Sequence, residues 1–183
     1  MNPDAILNLV SQHLPFDEAE ALFLEQTTAF VRQEADFASR LNPAGHLTGS
    51  AWVVNPARDA VLLIHHVNLN RWLQPGGHVE EEDASIQATA ARETLEECGS
   101  AEVELVSPVL YDLDVHPIPE RKGFPAHLHY DFRFLVRVPD EAAFAAQEGE
   151  ITDVRWFTPD EMLALRPGPS LVRMLCKLPG FQS

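Results

Sequence analysis

The stretch from Gly76 to Gly99 reads Gly-Gly-His-Val-Glu-Glu-Glu-Asp-Ala-Ser-Ile-Gln-Ala-Thr-Ala-Ala-Arg-Glu-Thr-Leu-Glu-Glu-Cys-Gly, and no other part of the chain constrains the fold so tightly. A glycine pair leads into a short acidic loop, then into a helix ending in Arg92-Glu93-Thr94-Leu95-Glu96-Glu97. On a helix, Glu93, Glu96 and Glu97 fall at i, i+3 and i+4 and share one face. Three neighbouring carboxylates repel one another and weaken a helix by a few tenths of a kcal/mol per pair. A cation reverses that sign, and hard divalent ions such as Mg²⁺ are held by one or two carboxylates together with substrate phosphates.

Ala88, Ala91, Leu95 and Cys98 repeat at i, i+3, i+7 and i+10, which predicts the face this helix packs against a core. Gly99 is placed to cap its C-terminus. An acidic helical face alone reads as a solvated one; the glycines and the arginine change that reading. Together the segment resembles the Nudix box, whose signature runs Gly, five residues, Glu, seven residues, then Arg-Glu-aliphatic-x-Glu-Glu-x-Gly-aliphatic. Gly77, Arg92, Glu93, Glu96, Glu97 and Gly99 match it. The loop between Gly77 and Arg92 is one residue longer than the signature. Asp83, or Glu82 if the insertion falls later, replaces the first signature Glu, and Thr94 and Ser100 stand where aliphatic residues are usual. These departures touch the loop and the partner of Arg92, not the Arg-Glu-x-x-Glu-Glu core.

The resemblance implies an α+β fold of the Nudix type, an α/β/α sandwich with a mixed β-sheet flanked by helices. Residues 47–183 would form the hydrolase domain, and residues 1–46 an additional helical segment packed on it. It implies a metal-dependent hydrolase that cleaves the phosphoanhydride bond of a nucleoside diphosphate linked to another moiety. Mg²⁺ or Mn²⁺ would be held by Glu96 and Glu97, with the Gly76 carbonyl as a further ligand. Glu93 would be a ligand or the base that orients water, and Arg92 would orient the carboxylates. Glu148 and Glu150 are candidates for a further carboxylate outside the box. The run Trp72-Leu73-Gln74-Pro75-Gly76-Gly77-His78, with Ala126-His127-Leu128-His129-Tyr130-Asp131, is similar to bacterial Nudix hydrolases of unassigned substrate.

Composition narrows the partners. The chain has 183 residues, enough for one domain that buries roughly 70% of its unfolded surface. Its 13 basic against 28 acidic residues give a net charge of −15, a surface that repels nucleic acid and anionic membranes. A nucleotide-type small molecule could still bind where a divalent ion neutralises the site. Cys98 and Cys176 lack metal-ligand spacing and read as buried thiols. The first ten residues lack the basic start and apolar run of a signal peptide, and no stretch approaches a membrane span, so a cytoplasmic protein is expected.

Residues 1–40 read as two helices broken at Pro15, with Asp17 as a cap. Leu22, Phe23, Phe30, Val31 and Phe37 form their apolar face, and Glu18, Glu20, Glu25, Arg32 and Glu34 their polar one. Such helices would cap the domain or supply a homodimer interface. Strands are expected at Ser50–Val54, Ala60–His66, Val103–Val106, Val109–Val115, Ala126–Val138 and Ile151–Phe157, with short helices at Pro159–Leu165 and Pro169–Leu178.

Residues 126–138 alternate. Leu128, Tyr130, Phe132, Phe134 and Val136 lie on one face, and His127, His129, Asp131, Arg133 and Arg137 on the other. If this strand pairs with the run from Tyr111, Asp114, His116, His127 and His129 come together. That surface reads either as solvated sheet or as a cleft floor on which His127, His129 and Arg133 donate to phosphates and hydroxyls. A His/Asp transition-metal site ranks below both, because the spacing is not a known ligand pattern. His78, directly after Gly77, is a further substrate-binding candidate.

Two rivals stand beside the hydrolase. One is a Nudix-fold module that binds a nucleotide metabolite without cleaving it, for which the glutamate array has no use. The other is a prenyl diphosphate isomerase, whose active-site Cys has no counterpart in Cys98 or Cys176. Acyl-enzyme chemistry lacks a Gly-x-Ser-x-Gly elbow, and there is no P-loop.

Overall fold

One strand organises the molecule. Strand β1, Gly45–Val54, has every residue buried, which places it at the centre of the sheet. The computed structural model describes residues 1–100, 102–121, 123–139, 143–147 and 149–179. Around β1 lie β2 (Val61–His66), β3 (Arg71–Leu73), β4 (Gly76–His78), β5 (Glu104–Leu105), β6 (Asp112–Ile118), β7 (His127–Arg137) and β8 (Ile151–Phe157). The helices are α1 (Pro3–Gln12), α2 (Glu18–Gln33), α3 (Ile86–Cys98), α4 (Pro159–Ala164) and α5 (Pro169–Cys176). The sheet runs β3-β2-β1-β7-β5, with β4 on β1, β6 on β7 and β8 on β2. It is mixed: β1 and β7 run parallel over ten residue pairs, and the other pairings are antiparallel. No helix among the described residues is long and apolar enough to cross a membrane.

Alternation along β1 divides the core. Ala51 and Val53 pack with Leu62, Ile64, Val136 and Cys98, the last residue of α3. Trp52 and Val54 pack with Val61, Leu63, Phe157 and the α4 and α5 residues Met162, Leu171 and Met174. A third cluster joins Ile6 and Val10 of α1 and Phe30 and Val31 of α2 to Leu47, Ile86, Ala90 and Phe132. Helices thus cover the mixed sheet on both sides, the α/β/α sandwich expected. The short helices begin and end as their residues dictate: Ser85 caps α3, Gly99 ends it at φ 63°, Asp17 caps α2, and Thr158 with Glu161 forms a capping box on α4.

The buried face of α3 is not the one its apolar spacing indicates. Ile86, Thr89, Ala90, Thr94, Glu97 and Cys98 are buried, whereas Leu95 is 39% exposed and Ala88 and Ala91 are only partly covered. Glycine is the reason. A Cβ on Gly49 would stand 2.9 Å from the Ile86 carbonyl oxygen and from Thr89 Cβ, and 3.0 Å from the Ala90 nitrogen. Without it, α3 lies against β1 on a face of small and polar residues.

Glu20, read as part of the polar face of its helix, is 0% exposed. Its carboxylate accepts from the Phe16 N–H (2.6 Å), the Leu113 N–H (3.1 Å), His13 Nε2 (2.8 Å) and Lys177 Nζ (2.6 Å). It therefore ties α2 to β6 and to the residue that caps α5. Burial opposes ionisation, but the hydrogen bonds from His13, Lys177 and Phe16 outweigh it and bring the pKa down to about 2.

Two outcomes follow from these contacts. Gly49→Ala should destabilise the fold by about 1–3 kcal/mol, because the atoms it meets are backbone or Cβ and cannot swing away; a wild-type urea midpoint would show that α3 can move off. Glu20→Gln should cost about 3 kcal/mol at pH 7, the low end for a broken buried pair, since Lys177 keeps Asp112. The folded pKa of Glu20 lies below its unfolded value of 4.5, so its contribution is present above pH 4.5 and is lost as pH falls towards 2. Denaturation across pH 7 to 2.5 should therefore be flatter for the variant. An equally steep acid loss in both proteins would place the sensitivity elsewhere.

Candidate active site

The N-terminal glycines of the box and the acidic end of α3 meet at the edge of β1. The Gly76 N–H donates to Glu97 Oε2 at 2.8 Å, joining two residues expected to share a cation. A Cβ on Gly77 would fall 2.5 Å from Glu93 Oε1, so the carboxylate of Glu93 fills the space where any larger residue would stand. Glu97 is 5% exposed. Burial, helped by the charges of Glu93, Glu150 and Glu96 and opposed by the Gly76 N–H, pushes its pKa up to about 8. Burial also raises that of Glu93. Glu96 and Glu150 stand exposed. Glu148 lies outside the described residues.

Arg92 holds the array together from the side. Its Nη1 donates to Glu93 Oε1 (3.0 Å) and Glu96 Oε2 (3.1 Å), and its Nη2 to the His78 carbonyl (2.8 Å). Asp83 is its main partner: Nε and Nη2 donate to Oδ1 and Oδ2, each at 3.0 Å. Asp83 also accepts from the Glu80 N–H and the Thr89 hydroxyl, both at 2.9 Å. Asp83, not Glu82, thus takes the place of the signature's first Glu, and the extra loop residue is absorbed without loss of that pair. The bidentate geometry fixes the guanidinium plane, and through it the glutamates.

The pairing of β6 with β7 and of β7 with β1 lines up the second polar set in rows. His46, His129 and His116 form one row, Thr48, Asp131 and Asp114 the next, and Ser50, Arg133 and Asp112 the third. His78, on β4, joins the second row opposite Thr48. A cavity of about 350 Å³ opens over these rows and is bounded by Glu97, Gly76, Gly77, His78, His129 and Asp131. A second, of about 590 Å³, adjoins it and is bounded by Trp72, Arg71, Arg166, Asp114 and Arg133. Both lie in the size range of small-molecule sites.

Arg133 borders the larger cavity, and carboxylates surround it. It is 2% exposed, and its guanidinium is spent on Asp131 (2.7 Å), Asp112 (3.2 Å) and Asp114 (3.3 Å). Arg173 of α5 donates to Asp112 and Asp114, and Lys177 to Asp112. Thr48 and Ser50 donate their hydroxyls to Asp131. This buried network holds the cleft floor and ties Arg133 to Asp131, Asp112 and Asp114. Among the network, Arg173, Lys177 and Glu20 carried no signal in the sequence, because their partners come from distant elements.

His46 is the other residue that local pattern concealed. Parallel pairing sets it beside His129, and the rings of His46, His78, His127 and His129 gather with centroid separations of 4.5 to 5.2 Å. Both ring nitrogens of His46 and Nε2 of His129 are buried without a hydrogen-bond partner among the described residues. Each such atom costs about 1–3 kcal/mol. Burial, with the neighbouring imidazoles and Arg40, brings His46 and His78 down to about pH 4, and His129 lower still. Among the described residues, His46, His127 and His129 are the one group of three whose donor atoms lie within 4.8 Å of one another; the three glutamates form no such group. His65 bonds Thr152 (2.7 Å), and Tyr130 stacks on Phe30, so both serve packing.

Comparison with known proteins agrees with this geometry. The family model for the NUDIX domain matches residues 46–177. A probable DHNTP pyrophosphohydrolase of Lactococcus lactis subsp. cremoris is 30% identical over 122 residues, which cover 67% of this chain and 68% of that one. Among solved structures, the Ap4A hydrolase of C. elegans superposes with a TM-score of 0.55 at 16% identity, over 72% of this chain and 93% of its own. A UDP-X diphosphatase superposes at 0.52 and 14% identity over 96% of this chain and 91% of its own. The chain belongs to the Nudix hydrolase superfamily and is a pyrophosphohydrolase of that fold.

Proposed function

We propose that the protein hydrolyses the pyrophosphate bond of a nucleoside diphosphate linked to another moiety, using a divalent ion held by Glu93, Glu96 and Glu97 with the carbonyl of Gly76. The observation that carries this reading is Glu97, a buried carboxylate opening into the cleft and raised to about pH 8 by burial and by its acidic neighbours. Such a crowded set of oxygen donors fits Mg²⁺ or Mn²⁺. The Glu93 carboxylate, fitted into the space left by Gly77, supports the same assignment. When bound, the ion supplies positive charge against the negative charge that develops on the phosphoryl oxygens.

The chain's own groups divide the remaining work. Arg92 donates to Oε1 of Glu93, which leaves Oε2 either to join the ion or, with Glu96 and Glu97 as the ligands, to accept a proton from the attacking water. Burial raises the affinity of that carboxylate for the proton. Glu150 adds negative charge beside Glu97 and belongs to the same array. His78 lines the cleft beside Glu97 and faces the substrate's phosphates. Trp72, half-buried in the adjoining cavity, offers a ring face to a base or to the linked moiety.

The first experiment is an activity panel with Mg²⁺ or Mn²⁺ on ADP-ribose, Ap4A, UDP-sugars and DHNTP, the last chosen for the Lactococcus relative. Products would be read as phosphate released after phosphatase treatment. Metal-dependent turnover is expected on at least one compound, and both Glu96→Gln and Glu97→Gln should lower it by at least about 100-fold, the scale of losing a catalytic electrostatic group. Near-wild-type turnover in both variants would remove the carboxylate assignment. Thermal shifts with these compounds but no product from any of them would turn the reading towards a binding module. Asp83→Asn should lower kcat with little change in KM, because it loosens Arg92 rather than a substrate contact; an effect on KM alone would place Asp83 against substrate.

A further inference from the structure

We propose that His46, His127 and His129 form a binding site for a divalent transition metal of the zinc class, separate from the glutamates of α3, with His78 beside them as a fourth imidazole. One donor nitrogen from each of the three lies within 4.8 Å of the others. Two nitrogens bound tetrahedrally at about 2.0–2.1 Å to a shared ion lie about 3.4 Å apart, so small rotations of the rings would close the three on one ion. The rings come from the two central strands: the register His46↔His129 sets two side by side, and His127 follows at the start of β7. These strands are paired over ten residues at the centre of the sheet, so the ligands are held in place before any ion arrives.

The pattern of hydrogen bonds points to an ion rather than to packing. Buried side-chain nitrogens are ordinarily paired, yet His46 is 1% exposed with both of its nitrogens unpaired, and His129 Nε2 is unpaired as well. Among the described residues, no carboxylate answers any of these atoms. His127 has the complementary feature: its Nδ1 lies 2.9 Å from the Pro125 carbonyl. An Nδ1–H donated there leaves Nε2 as a free lone pair, the way backbone carbonyls orient metal-ligating imidazoles. His116, whose Nδ1 lies 3.0 Å from Asp114, stands against His129 from the neighbouring strand.

Donor chemistry keeps the two sites distinct. Imidazole suits zinc, nickel and iron, whereas carboxylates and carbonyls suit magnesium and manganese. Three histidines also leave a coordination position open, as in zinc sites that meet a substrate rather than only hold a fold. His78 and His129 border the same 350 Å³ cavity as Glu97. An ion in the histidine cluster therefore adds a second positive charge to the cleft in which a polyanionic compound would lie.

Protein expressed without a histidine tag and purified without chelator should carry about one zinc, nickel or iron per chain by elemental analysis, in line with a single three-histidine site. After chelator treatment, Co²⁺ titration should produce visible bands of nitrogen-ligated cobalt. His127→Gln, at a half-buried strand start where the fold tolerates change, should weaken Co²⁺ binding by at least about 100-fold; His46→Asn should do the same, with circular dichroism checking that it folds. Glu97→Gln should retain both the metal and the cobalt spectrum. Metal content below about a tenth of an ion per chain with no cobalt bands would overturn the site. Unchanged affinity in His127→Gln, or loss of metal only in Glu97→Gln, would overturn it equally. No readout depends on hydrolysis, so this result stands or falls apart from the substrate assignment.

Discussion

The parallel pairing of Gly45–Val54 with Leu128–Arg137 is the constraint on which the rest depends. It is the longest ladder in the sheet, and it joins segments that local sequence cannot connect. By fixing His46 opposite His129, Thr48 opposite Asp131 and Ser50 opposite Arg133, it turns two alternating strands into one patterned polar surface. The glutamate helix is then brought to the edge of that surface by three glycines: Gly49, which admits α3, Gly77, which admits Glu93, and Gly76, which lies against Ser50 and donates its N–H to Glu97. A one-residue slip of either strand would carry the whole polar set to the opposite face.

Two charge systems share the cleft and obey opposite rules. Around Asp112, every carboxylate has a cation: Arg133, Arg173 and Lys177 reach it or its neighbours, and Asp114 is held well below the usual carboxylate range although burial opposes it. Around Glu97 the carboxylates outnumber their one cation, Arg92, and burial raises the affinity of Glu93 and Glu97 for protons. The first arrangement is satisfied as it stands and is structural. The second is not, and a frustrated array of this kind is where binding energy is gained on arrival of a counter-charge.

Much of this was legible because the box is a local motif. Gly77, Arg92, Glu93, Glu96 and Glu97 need only helix geometry to be grouped, and the strand runs from Ala60 and Ala126 need only alternation. The helix face was misread because hydrophobic spacing assumes that apolar residues choose the buried side. Here backbone approach at Gly49 decides it, and Leu95 is left outside. The surroundings of Arg133 were hidden for a related reason: alternation places it on the polar face but says nothing of Asp112 and Asp114 across the sheet. His46 and Glu20 gave no signal, since one depends on parallel register and the other on a helix that closes over β6 from the far end of the chain.

The junction at Glu20 has a consequence for how the chain is made. Glu20 and Asp112 share Lys177, which follows the last helix. During synthesis, both acids, one on α2 and one on β6, leave the ribosome before their shared cation does. Until then the first two helices lack the counter-charge that makes their burial favourable, and Leu113 and Phe132 lack the cover they provide. Domains that fold from the N-terminus as they emerge can start without their final residues. In this protein the first two helices wait for a residue 157 positions beyond Glu20 before that junction locks.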